Sequence, residues 1–109
     1  MIIKISSDFT DTPGHRYVDD GPYSGELFRD SLLIPSYLKA LQTGEKLVID
    51  LDDTYGCAPG FLEEIFGGMV RLGYANILDN IILISHDDPN LIEEIINYMK
   101  EEKERRRKK

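Results

Sequence analysis

The chain has 109 residues, 41% hydrophobic and 30% charged, with a formal net charge of −7. That is enough for one folded domain and small for an enzyme that must also enclose a substrate. No apolar run approaches the roughly 18 residues that span a bilayer, and the acidic balance argues against nucleic-acid binding, since a phosphate backbone would be repelled.

The charge is uneven. Residues 1–100 carry 7 Lys+Arg and 17 Asp+Glu, a net −10, whereas residues 101–109 carry 6 and 3, a net +3. The first stretch is expected to form the domain and the second a charged helix end or tail. Cys57 is the only cysteine, so no internal disulfide can form and a reduced, cytoplasmic setting is expected.

Met1-Ile2-Ile3-Lys4-Ile5-Ser6 is too short for a signal peptide and reads as a first strand. Residues 7–23 are rich in Asp, Gly, Pro and Thr, which predicts turns around one short strand near 16–18. Ser24 is a candidate N-cap for a helix that carries Leu27, Phe28, Leu32 and Leu33 at helical spacing. Pro35 lacks a backbone donor and is expected to kink or restart that helix. Tyr37, Leu38 and Leu41 continue the apolar stripe as far as Gly44. Residues 46–51 read as a second, buried strand. Phe61, Leu62, Ile65, Phe66 and Met69 then share one face of a helix that starts near Pro59. Gly67-Gly68 costs that helix on the order of 1 kcal/mol per residue, so a close helix–sheet contact or a local kink is expected there. Residues 81–85 form another strand. Asp88-Pro89-Asn90 opens a last helix with Leu91, Ile92, Ile95, Ile96 and Met99 inward. Strands alternating with helices predict an α/β fold with a mixed, partly parallel sheet of about four strands and three to four helices.

Two readings compete for the segment after the second long strand. Asp50-Leu51-Asp52-Asp53-Thr54 fits D-x-D-x-T. It resembles the first motif of haloacid-dehalogenase-type phosphatases. That resemblance implies Asp50 as nucleophile, Asp52 as general acid/base, a magnesium ion held by both, and Ser85 as a phosphate grip. Against it, Asp50 lies mid-chain and no lysine occurs between Lys46 and Lys100 to balance a phosphate. The plainer alternative is a strand that ends in solvated aspartates, and we prefer it.

The second reading rests on two separated segments. Asp20-Gly21-Pro22-Tyr23-Ser24-Gly25-Glu26-Leu27-Phe28-Arg29 precedes the strand, and Phe61-Leu62-Glu63-Glu64-Ile65-Phe66-Gly67-Gly68 follows it. Over residues 14–100 the chain resembles a bacterial STAS-like family of unassigned function, related to anti-sigma-factor antagonists. The resemblance implies a sheet with helices mainly on one face. It also implies a non-enzymatic regulatory role in signalling, by docking onto a protein partner such as a histidine-kinase-type ATPase. The serine that such a kinase phosphorylates falls among Ala58, Pro59, Gly60 and Phe61, where no hydroxyl stands. Thr54 and Tyr55 are the nearest hydroxyls.

The expected partner surface is the loop of Asp53, Thr54, Tyr55, Gly56, Cys57, Pro59 and Gly60, with Glu63 and Glu64 on the first turns of the helix. Glu63 and Glu64 point off the apolar stripe and read as a solvated face. For Arg29 a pair with Asp50 or Asp52 is one reading, and a surface ion pair of little worth is the one we prefer. His15 and His86 stand apart without ligand spacing, so no metal site is expected; neither a phosphate loop nor a nucleophile elbow occurs, and no cofactor is expected. The basic run 105–109 reads as a solvated helix end. A structural subunit of a larger assembly is a further alternative.

Overall fold

The structure, a computed structural model, describes residues 1–107. Three parallel strands form one sheet: β1 (Ile2–Lys4), β2 (Leu47–Asp50) and β3 (Ile81–Ile84), in the order β1-β2-β3. Ile2 faces Val48 and Val48 faces Ile82, so the register is fixed across all three strands. The sheet is therefore wholly parallel, with one strand fewer than the sequence led us to expect.

The missing strand is the one near 16–18. Val18–Asp20 forms a single tight helical turn instead. Two side chains explain this. The Tyr17 amide donates to Asp20 Oδ2 at 3.1 Å and the Val18 amide donates to Glu26 Oε1 at 2.9 Å. Amides captured locally cannot join a ladder. β1 is also shorter than expected, because Ile5–Asp8 turns into a one-turn helix, α1.

Helix α2 runs without a break over 25–43. The Leu27 amide donates to Ser24 Oγ at 3.0 Å, so Ser24 caps it as the sequence implied. Pro35 does not break it. A wide turn at Arg29–Leu33, in which the Ile34 amide reaches back to the Arg29 carbonyl, comes just before the proline. That geometry absorbs the missing donor and the ring. It also shifts the buried stripe to Phe28, Leu33, Tyr37 and Ala40 and leaves Leu27, Leu38 and Leu41 exposed. Gly44, with φ at 76°, ends the helix in the left-handed conformation.

Helix α3 runs over 59–71, starting at Pro59 and containing a second wide turn at Glu63–Gly67. Helix α4 (Asn90–Arg107) packs on α3 through Ile95 and Met99 and carries the charged residues 101–107 as continued helix. Lys108 and Lys109, the end of the basic run, lie outside the described residues.

The inner face of the sheet supplies Ile3, Leu47, Ile49 and Ile81 to the core, where they meet Phe28, Phe61, Phe66 and Met69. Right-handed crossovers that step in one direction along a parallel sheet place their helices on the same face. Ile2 and Ile82 on the other face are 67% and 46% exposed, so that face is open. Among the described residues no helix is long and apolar enough to cross a membrane.

Candidate functional site

The strand-to-helix loops meet at the carboxyl ends of the strands, where open α/β sheets place their sites. β1 brings Lys4 there, β2 brings Asp50, and the following loops bring Asp52, Asp53, Ser85, His86 and Asp87. The Asp52 amide donates to Asp50 Oδ1 at 2.9 Å, closing a turn on the strand's last side chain. Asp53 takes the left-handed conformation, with φ at 67°. Lys4 Nζ donates to Asp53 Oδ2 at 2.6 Å and lies 3.8 Å from Asp50 Oδ2. The hydrogen bond to Asp53 holds the Lys4 ammonium above its ordinary pKa.

Asp52 ties two loops together. Its Oδ1 accepts the His86 and Asp87 amides at 2.7 and 2.9 Å, and its Oδ2 lies 3.0 Å from His86 Nδ1. The Asp87 amide, followed by His86, keeps the carboxyl below the usual range. Ser85 Oγ donates to the Asp88 carbonyl at 2.6 Å. The three residues of the phosphatase reading thus sit together, and each makes a hydrogen bond that shapes a loop. Among the described residues no three His, Cys, Asp or Glu side chains converge as metal ligands.

The loop after β2 is held at both ends. The Tyr55 amide donates to the Asp11 carbonyl at 2.8 Å and the Ala58 amide to the Pro13 carbonyl at 3.0 Å. Thr54 Oγ1 accepts the Gly56 amide and lies 3.7 Å from Cys57 Sγ. Burial pushes the Cys57 thiol up, so it is a poor nucleophile. Tyr55, in contrast, is 86% exposed, beside a shallow groove lined by Thr12, Pro13 and Gly14. Tyr17 and Val18, also exposed, follow that strip, and Arg16 stacks toward the Tyr17 ring. Composition gave no hint of this neighbouring strip, because only the chain path brings 11–18 beside 55–60.

The two glutamates of α3 are not a solvated face. Glu64 is 7% exposed, and its Oε2 accepts Arg29 Nη1 at 2.5 Å, while the same Nη1 donates to the Glu64 carbonyl at 3.1 Å. Arg29 is itself buried and also binds Asp30, so its partners are neither Asp50 nor Asp52. Glu63 accepts Arg16 Nη1 at 2.6 Å and Arg71 Nη1 at 2.7 Å, and Arg71 continues to the buried Glu102 of α4. Burial alone would raise the Glu63 carboxyl, but Arg71 and Arg16 outweigh it and hold it below the usual range. Burial likewise opposes the charge on Arg29, and the hydrogen bonds to Asp30 and Glu64 overcome it.

This network explains the glycine pair. A Cβ on Gly68 would lie 2.7 Å from Arg29 Nη1, and one on Gly67 would strike the Glu63 carboxylate. The glycines make room for guanidinium groups and carboxylates, not for the sheet. Gly25 serves similarly, since a Cβ there would lie 2.8 Å from the Phe61 carbonyl. Of the two sequence segments, Gly25, Arg29, Glu64 and Gly68 therefore lock α2 onto α3, while Ser24 caps α2 and Glu63, with room left by Gly67, ties α3 to Arg16 and Arg71.

No curated protein and no solved structure matches the chain. A family model described as a STAS-like domain of unknown function matches residues 24–91, from the cap of α2 to the first turn of α4. With that match over more than half its length, the chain belongs to this STAS-like family.

Proposed function

We propose that the chain is a non-enzymatic regulatory module that docks onto a protein partner through the loop 53–60 and the adjoining strip 12–18. The observation that carries this is Tyr55. It is an aromatic side chain, 86% exposed, on a loop fixed by backbone bonds to Asp11 and Pro13. Rigid exposed aromatics are the residues that anchor protein interfaces, because little entropy is lost when they are covered. Tyr17 and Val18 extend the apolar part of the surface, and Asp53 supplies charge at its edge.

The contact set differs from the one expected from spacing. Glu64 is committed to Arg29 and Glu63 to Arg16 and Arg71, so neither is an anchor in this proposal. By its resemblance to antagonist domains, the partner is a histidine-kinase-type ATPase or a comparable regulator, and the setting is cytoplasmic. Pro59 and Gly60 stand where those domains carry a phosphorylated serine, so docking here works without that switch. The aspartate-nucleophile reading is the weaker one, since both oxygens of Asp52 are already engaged by the loop at 86–87.

The test is capture of partners on the immobilised full chain, with and without ATP and magnesium, followed by titration of the captured regulator. Tyr55→Ala should weaken binding about tenfold or more while leaving the thermal melt unchanged. Unaltered affinity in Tyr55→Ala would remove this surface from consideration. Magnesium-dependent turnover of a phosphate ester, lost in Asp50→Asn, would overturn the non-enzymatic role.

A further inference from the structure

The face of the sheet opposite the helices bears a row of three β-branched residues, Ile2, Val48 and Ile82, aligned by the strand register. Ile2 is 67% exposed and Ile82 46% exposed. The next row toward the carboxyl ends holds Lys4, Asp50 and Ile84. Parallel sheets are ordinarily covered on both faces, and a bare one leaves β-branched side chains in water. Scattered apolar residues need no explanation, but an aligned row across every strand of the sheet does.

We infer that this open face is a second docking surface, and that its occupant is an amphipathic helix of a partner protein carrying basic residues around an apolar stripe. Two features choose that occupant. The first is width. Three strands span about 10 Å from β1 to β3, which matches the diameter of one helix and the face it buries. The second is charge. At the carboxyl ends of the strands the open face is bordered by an acidic rim of Asp8, Asp50, Asp53 and Asp87, linked through Lys4 and the Asp53 amide. Lys4 is the one lysine or arginine in that cluster and is already paired with Asp53. At the opposite end Glu45 lies 3.7 Å from the N-terminal ammonium and Lys46 stands beside it in sequence, so that end carries no acidic excess. A helix laid parallel to the strands therefore gains by placing Lys or Arg over the rim. A second copy of this chain is disfavoured by its own net charge of −7.

This surface is distinct from the loop 53–60, and the two are separable. The probe is a synthetic helical peptide of about five turns, with leucines on one face and lysines elsewhere, alongside a counterpart with glutamates in place of the lysines. Both are titrated into the isotope-labelled full chain and followed by methyl and amide NMR. The lysine peptide should move the signals of Ile2, Val48 and Ile82, and its binding should fall as salt rises. Ile82→Lys, on an exposed edge strand that tolerates lysine, should weaken it about tenfold, and Ile2→Lys similarly. Tyr55→Ala should leave it unchanged. The inference fails if the shifts fall on the loop 53–60, if the glutamate peptide binds equally well, or if neither lysine variant has an effect. It also fails if ultracentrifugation finds a dimer that Ile82→Lys abolishes, which would make a second copy the occupant.

Discussion

Arg29 and Glu64 pair at 2.5 Å with both side chains largely out of water, and each depends on the other to be tolerated there. Removing one member strands the other as a buried charge, which typically costs about 3 kcal/mol or more. Arg29→Met should therefore lower the unfolding free energy by about 3 kcal/mol in urea titrations, and the double change Arg29→Met, Glu64→Leu should recover much of the loss. A loss no greater in the single than in the double variant would argue that the pair is not coupled. Spacing alone could not find this pair. Glu63 and Glu64 do fall off the apolar stripe of α3, and that pattern normally means solvent. What buries Glu64 is a second helix whose arginine arrives through the space left by Gly68, a contact 35 residues apart in the chain. The glycine pair was the legible trace of it, since two helix-weakening residues in a row need a steric reason.

At the scale of elements, most of the fold was legible. The two longer strands, the three long helices, the Ser24 cap and the Gly44 stop all follow from local pattern. The wide turns were not, because the apolar positions 28, 33, 37 and 40 depart from regular spacing just where the helix does. Nor was the fate of 16–18, which depended on Glu26 reaching back eight residues to the Val18 amide. The junction of α2 and α3 gives a sharp test of packing against propensity. Alanine at Gly25 would favour a helix by about 1 kcal/mol. Its Cβ would, however, meet the Phe61 carbonyl at 2.8 Å, and backbone yields less readily than a side chain. Gly25→Ala should accordingly destabilise by about 2 kcal/mol and lower the thermal midpoint, as overpacking does. A raised midpoint would mean that α2 can slide on α3 freely.

For the whole molecule, charge governs the response to acid. Asp52 and Glu63 both have carboxyl pKa values depressed in the folded state, the first by loop amides and the second by Arg71 and Arg16 against burial. In the window between folded and unfolded values the unfolded chain binds more protons. Stability from these groups is therefore complete above the ordinary carboxylate range and is lost as pH falls through the depressed values. Urea midpoints should decline from about pH 5 downward, and Glu63→Gln should flatten that decline while lowering the plateau near neutrality. A decline identical to the parent's would exclude Glu63 as a contributor.

The register of the sheet bears also on how the chain comes to be folded. Ile2 finds its partner in Val48, and Leu47 finds its own in Ile81, so no strand pairs with a near neighbour in sequence. Every rung of the ladder must wait for a crossover to close, and the loop entropy of that closure comes before any reward. During synthesis β1 emerges first and stays single until β2 has been made. Its three residues are too few to offer a long sticky edge in the unpaired interval, even though two of them are isoleucines. The brevity of β1, a weakness in the finished sheet, protects the chain while it is still being made.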